Sequence, residues 1–181
     1  KLIEEKFDKQ YIPWFKVNKP SKNLLLTHLN LDYNGQTKIY LTTPVMPCVF
    51  GLEKSFNSFQ FKLSFTDIDT NPKIKEFYDV IKTVEYSQMM SIGITDKNET
   101  DYISQIKQDD EEKYPPHITI KLPFRYNKFE VDIYNKNMSG MGITNIRARQ
   151  LLCCNIYIDS IQKFNGKYMC KWKCSYIDVK S

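Results

Sequence analysis

Residue types that carry covalent chemistry are sparse in this chain. There are two histidines, His28 and His117, and five cysteines, Cys48, Cys153, Cys154, Cys170 and Cys174. Neither histidine has a cysteine or serine neighbour that would make a catalytic pair. Gly-x-Ser-x-Gly, His-Glu-x-x-His and the glycine-rich phosphate loop are all missing from the sequence. If Cys170 and Cys174 lie on a strand, their spacing of roughly 13 Å, at about 3.3 Å per residue, is too long to share one zinc ion. An odd number of cysteines without paired spacing points instead to reduced, packed thiols in a cytosolic or nuclear setting. The acidic run Asp109-Asp110-Glu111-Glu112 lacks the glycine bend of a calcium loop and reads as a solvated loop. No catalytic residues, metal or cofactor are expected.

Binding chemistry is better represented. Phe124-Arg125-Tyr126-Asn127-Lys128 interleaves two rings with two cations. Arg147, Arg149 and Tyr157 repeat the combination, and Lys167, Lys171 and Lys173 extend it. Rings that stack on bases beside cations that follow phosphates can hold a single-stranded nucleic acid without sequence choice, each stacked base contributing about 1–3 kcal/mol. The net charge is only +5, but residues 121–181 hold 11 Lys/Arg against 4 Asp/Glu, whereas residues 66–112 hold 5 against 12. A basic end carrying rings on strands suits a polyanion that can stack. Taken singly, each of these residues also fits ordinary surface or rim packing, and both readings stay open on the residues alone.

The elements that would position them are mostly strands. In Ile143–Ile158, Ile146, Ala148, Leu152, Cys154, Ile156 and Ile158 share one side of a period-2 pattern, interrupted by Gln150, and Arg147, Arg149, Leu151, Asn155 and Tyr157 share the other. After the turn Asn165-Gly166, Lys167–Val179 places Tyr168, Cys170, Trp172, Cys174 and Tyr176 on one face and Lys171, Lys173 and Ser175 opposite. This predicts a long antiparallel pair with Trp172 in the core. Leu24–Asp32 and Thr37–Thr43, joined at Asn34-Gly35, predict an N-terminal hairpin. Pro44 and Pro47 bracket an extended Val45-Met46. Phe56–Thr66 turns Phe59, Phe61, Leu63 and Phe65 inward and Gln60, Lys62 and Ser64 outward. Thr70 or Asn71 can cap a helix opening at Pro72 and running through about Met89, placed to plug one end of a barrel. Residues 94–113 predict a polar loop with a short helix about Tyr102–Lys107, Ile118–Leu122 a strand, and Ser139–Gly142 a turn. Residues 1–23 read as an arm lying across the domain through Trp14 and Phe15, or meeting another subunit. The rest, 24–181, has the length and the 41% hydrophobic content of one domain, and no apolar run is long enough to span a membrane.

The stretch Ile39–Lys54, with Thr43-Pro44-Val45-Met46 and Phe50-Gly51-Leu52, resembles the oligonucleotide-binding (OB) fold single-stranded-DNA-binding proteins of giant (nucleocytoplasmic large DNA) viruses, distant relatives of the short-tailed phage replication protein. In that family a strand such as Phe61-Lys62-Leu63-Ser64-Phe65 precedes a helix, and a late strand carries a tryptophan such as Trp172. The likeness runs over roughly residues 39–178. It implies a mainly β, OB-fold-like five-stranded Greek-key barrel with an inserted α-helix and here an extra N-terminal hairpin. It also implies a non-enzymatic protein that coats single-stranded DNA in viral replication, recombination and repair, in a cytoplasmic viral factory, the host nucleus or the virion. Phosphate contacts are then expected from Arg125, Lys128, Arg147, Arg149, Lys171 and Lys173, and base stacking from Phe124, Tyr126 and Tyr157. RNA is not distinguished from DNA on this basis. The family recruits replication proteins through an acidic C-terminal tail, to which Asp178-Val179-Lys180-Ser181 offers no counterpart. Association with further copies of the chain stays open. The competing expectation is a viral scaffold or protein-interaction module that uses the Trp14-Phe15 arm and binds no nucleic acid.

Overall fold

The computed structural model describes residues 15–17, 27–29, 31–33, 40–55, 58–135, 140 and 142–180. In chain order its strands are β1 (Phe15–Val17), β2 (Thr27–Leu29), β3 (Leu31–Tyr33), β4 (Tyr40–Thr42), β5 (Met46–Pro47), β6 (Glu53–Ser55) and β7 (Ser58–Ser64). Helix α1 (Pro72–Ile92) follows. Then come β8 (Tyr102–Ile103), β9 (Ile106–Lys107), β10 (His117–Leu122), β11 (Phe124–Arg125), β12 (Lys128–Phe129), β13 (Asp132–Asn135), β14 (Leu151–Phe164) and β15 (Lys167–Val179). Among the described residues the chain is mainly β with one long helix. It forms two compact units, one of residues 40–77, 106–157 and 172–181, the other of residues 1–39, 78–105 and 158–171.

The first unit is built on β7 and β10, which pair antiparallel from His117↔Ser64 to Leu122↔Phe59. β6 covers the far edge of β7, and β9 and a single parallel pair, Lys121↔Lys173 of β15, cover the far edge of β10. β13 runs parallel to β15, and β4 and β5 run antiparallel to β14. Alternation explains the faces: Phe61, Leu63, Ile118, Ile120, Trp172 and Cys174 all point into one core and are 0–2% exposed. Among the described residues, the strand order β14-β15-β10-β7-β6 is not closed by a further ladder, an isolated bridge, Cys48↔Leu63, being the pairing between β7 and the segment after β5. The mainly β sheet with its helix is therefore seen, but the expected closed five-stranded Greek-key barrel is not. Pro44, Pro47, Pro116 and Pro123 help account for this, since each lacks a ladder donor and keeps its neighbouring strand short.

In the second unit β2 pairs with the distal half of β14, and β8 pairs in parallel with the first residues of β15. The turn between β14 and β15, Asn165-Gly166, has φ of 52° and 78°, the type I′ geometry that its sequence predicts. A buried polar cluster ties residues 102–105 to the helix. Glu85 accepts hydrogen bonds from the Ser104 hydroxyl at 2.9 Å and the Gln105 amide at 2.5 Å, and Gln88 accepts from Tyr102 and Gln105. This segment is strand and turn instead of the expected short helix, because its polar side chains are spent on that cluster.

Helix α1 begins where its capping residues place it. Asn71 Oδ1 accepts the Lys73 amide at 3.0 Å, and Gly93 ends the helix at φ 89°. The long strand predicted from Ile143 begins eight residues later. Residues 143–145 form a 3-10 turn, and the Gln150 side chain accepts the Arg147 amide at 2.7 Å, closing a further turn. The Asn34-Gly35 turn, Trp14, most of the 1–23 arm and part of the 139–142 turn lie outside the described residues. The described pairings of the predicted N-terminal hairpin's flanks are not with each other: β3 pairs with β1, and β2 and β4 each pair with β14.

Candidate nucleic-acid interface

Pro123 ends β10, and the chain turns back at once as a hairpin with Phe124↔Phe129 and Arg125↔Lys128 in register. Its two-residue loop, Tyr126-Asn127, has φ of 52° and 59°. That is type I′ geometry without a glycine, and a bulky residue held there costs about 1–3 kcal/mol. The conformation presents Tyr126 at the tip, 91% exposed. Beneath it Phe124, Phe129 and Phe59 pack against one another at 4.7–4.8 Å between ring centroids, so Phe124 anchors the hairpin. Arg125 and Lys128 are exposed on its arms, with Arg125 Nε 2.9 Å from Glu130 Oε1.

A second exposed group lies beyond the other end of β7. Arg147 and Arg149 sit on the turn before β14, and the Arg149 amide, at φ 69°, donates to Cys48 O at 2.6 Å. Gly51 lies against the same turn at φ 73°: a Cβ there would stand 3.0 Å from Ala148 N and Ile146 O and 3.1 Å from the Arg147 carbonyl carbon. Because those neighbours are backbone, Gly51→Ala should displace the turn and cost about 1–3 kcal/mol of stability, measurable by urea denaturation. Next to Gly51, Phe50 is 60% exposed with the Lys62 ammonium 5.3 Å from its ring centroid.

Between these groups runs the outer face of the β6-β7-β10-β15 sheet. Residues opposite one another in register share a face, which aligns Glu53, Gln60, Lys121 and Lys173 in one row, Lys62 and Thr119 in the next, and Ser64, His117 and Lys107 in a third. All but Ser64 are half-buried. Four lysines thus face one carboxylate, Glu53, whose Oε1 is 3.6 Å from Lys62 Nζ. Burial, and then the charge of Lys62, push the His117 pKa below its usual value.

The structure therefore brings Phe124, Arg125, Tyr126 and Lys128 together on one hairpin, Arg147 and Arg149 together on one turn, and Lys173 beside Lys121. It does not unite them all. Tyr157, expected to be exposed on the outward face, is only 9% exposed: it pairs in regular register with Tyr40 of β4, and Ile156, Tyr157 and Ile158 are buried in succession, so both faces of β14 are covered there. The exposed ring at that place is Tyr40, 57% exposed and 5.5 Å from Tyr157. Lys171 belongs to the other unit. Sequence reasoning passed over Phe50, Lys62 and Lys121 as site residues, although the polar phase of their strands already separated both lysines from the core.

The thiols behave as packing groups. Burial pushes Cys48 up to about 11 and Cys170 up to about 12, and a hydrogen bond with Cys174, then burial, raises Cys154 well above its usual value. All five cysteines are unpaired, and among the described residues no group of three or more His, Cys, Asp or Glu is placed to hold a metal ion.

No protein-family profile matches the sequence, and no curated protein matches it. Among solved structures, the chain is similar to the single-stranded DNA-binding protein from bacteriophage Enc34, with 13% identity, a TM-score of 0.56, and 92% of this chain and 90% of that one covered. It is similar to the same phage's protein in complex with single-stranded DNA, at 12% identity and a TM-score of 0.54 over 90% of this chain and 94% of that one. It is also similar to gp2.5, a single-stranded DNA binding protein encoded by bacteriophage T7, at 11% identity and a TM-score of 0.51 over 78% and 86% of the two chains. At such identities the likeness is one of fold: this chain is folded like the single-stranded DNA-binding proteins of phages.

Proposed function

We propose that the chain binds single-stranded DNA without sequence choice, with no catalytic step. The observation that carries this is Tyr126, a ring set almost wholly in solvent by a turn that a tyrosine occupies only at a cost. A base stacks on Tyr126, and Phe50 offers a second flat surface. Arg125, Lys128, Arg147 and Arg149 hold phosphates at the two ends of the path, and Lys62, Lys121 and Lys173 line the sheet face between. Phe124 supports the hairpin, while Tyr157 and Lys171 fall outside this path. The likeness in fold to phage proteins supports this reading, as does the resemblance of Thr43–Met46 and Phe50–Leu52 to giant-virus proteins. A virus-encoded protein of this kind would act where viral DNA is replicated, recombined and repaired, in a viral factory or the host nucleus.

Fluorescence anisotropy with labelled oligo-dT at a series of salt concentrations tests the proposal. Binding should weaken steeply as salt rises, because each phosphate contact releases counterions. The Arg147→Ala, Arg149→Ala double variant should flatten the dependence of log K on log salt by about 1.4, at about 0.7 per contact on a single strand. No binding at low salt would overturn the proposal and leave the scaffold alternative, whereas an unchanged slope in the double variant would remove the two arginines from the path.

A further inference from the structure

His117 is the one histidine on the basic sheet face, and its surroundings are unlike those of a packed core histidine. It is half-buried at the first position of β10, with Ser64 of β7 directly opposite on one side and Lys107 of β9 on the other. Lys62 lies one cross-strand step away on β7, opposite Thr119, and the carboxylate of Glu53 on β6 also acts on the ring. Lys121 follows on the same face of β10. The charges therefore pull in opposite directions, with Lys62 and Lys107 opposing a protonated imidazole and Glu53 favouring it.

Glu53 is itself poorly served. Its Oε1 is 3.6 Å from Lys62 Nζ, while its Oε2 is enclosed and accepts no hydrogen bond. An enclosed carboxylate oxygen without a donor is costly, and such atoms mark places where a further group or a second state has to be considered. A cation gained at His117 would add positive charge to this cluster at the moment when an incoming anion draws Lys62 away from Glu53.

We propose that His117, Lys62 and Lys107 form a proton-linked phosphate site, in which a phosphate diester of the bound strand is held by the two ammonium groups and His117 takes up one proton from solvent as the strand binds. This rests on the function proposed above and adds a regulatory property to the same surface. In the free protein burial and then the charge of Lys62 lower the imidazole pKa, with Lys107 adding to the effect. A phosphate between the cations reverses that field and raises the imidazole pKa.

The sign follows from which state holds more protons. Between the imidazole pKa of the free protein and the higher one of the complex, the complex carries the extra proton, so affinity rises as pH falls through that window. Above the upper limit neither state is protonated and affinity is level. One titrating group gives a slope of log K against pH no steeper than about −1, which is a tenfold gain per unit.

The experiment is anisotropy with oligo-dT, whose bases and phosphates do not titrate in this range, from about pH 5 to pH 8 at constant ionic strength, where a histidine is the natural titrating group. The wild-type chain should bind more tightly toward the acid end. His117→Gln should remove that gain, leaving an affinity level across the range, and His28→Gln, in β2, should leave it in place. Should His117→Gln fold poorly, the imidazole of the intact protein is followed by NMR instead, and its pKa must rise when oligo-dT is added. Binding that is equally pH-dependent with glutamine at 117, or an imidazole that titrates identically with and without DNA, would overturn the proton-linked site while leaving strand binding intact. Absence of binding at every pH would overturn the strand-binding function itself.

Discussion

Tyr126→Gly is expected to weaken oligo-dT binding by about 5- to 150-fold, the equivalent of about 1–3 kcal/mol for one lost base stack, while leaving the fold as stable as before or more stable. The two effects have opposite signs for one physical reason. Tyr126 holds φ of 52°, where glycine has no steric penalty, so the substitution relieves the turn as it deletes the ring. The three-phenylalanine base of Phe59, Phe124 and Phe129 is untouched, and the hairpin should persist. Tyr126→Phe, which keeps the flat surface, should bind nearly as wild type. Anisotropy and thermal melting of the same samples settle the matter: a glycine variant with undiminished affinity would show that the exposed ring stacks on nothing.

The largest effect on stability is expected at Trp172. Its side chain is 2% exposed, on the core face of β15 between Cys170 and Cys174. Trp172→Ala removes the largest buried side chain among the described residues and leaves a cavity that the paired strands cannot collapse to fill, at about 3–5 kcal/mol. Against a total stability of about 5–15 kcal/mol, that is enough to lower the melting temperature by roughly 6–20 °C in a chain of this size. Calorimetry checks it, and a shift smaller than about 2 °C would place the indole outside the core. The loss should come without change in the salt dependence of binding, since no phosphate contact is assigned to the indole.

What could be read from the sequence was whatever a local pattern fixes. The alternation of Phe59, Phe61, Leu63 and Phe65 set the inner face of β7, Asn71-Pro72 set the start of α1, and Asn165-Gly166 set the long hairpin. The errors lie where one pattern imitates another. Ile146 and Ala148 keep the period of a strand while belonging to a turn, and Gln150, noticed only as an interruption, is the residue that closes that turn. Tyr157 is covered although it keeps register with exposed Tyr40, and three successive buried residues are something no two-residue period can express. The Tyr126-Asn127 turn lacks the glycine by which such turns are recognised, so its rings were legible as a candidate but its geometry was not. The basic face was hidden for another reason. Lys62, Lys121 and Lys173 become neighbours only through strand pairing over long separations, and no window along the chain contains them together.

Those separations carry a consequence for how the molecule comes to exist. β7 meets β10, and β10 meets β15, across about fifty to sixty positions of chain, and the parallel contacts of β15 cannot be made by a tight reversal. Non-local pairing of this kind makes assembly slow and leaves half-built strand edges exposed in the interval. The hazard to this polypeptide is therefore concentrated in its synthesis, when a nascent β10 has nothing yet to hold along one side and a neighbouring copy could take the place.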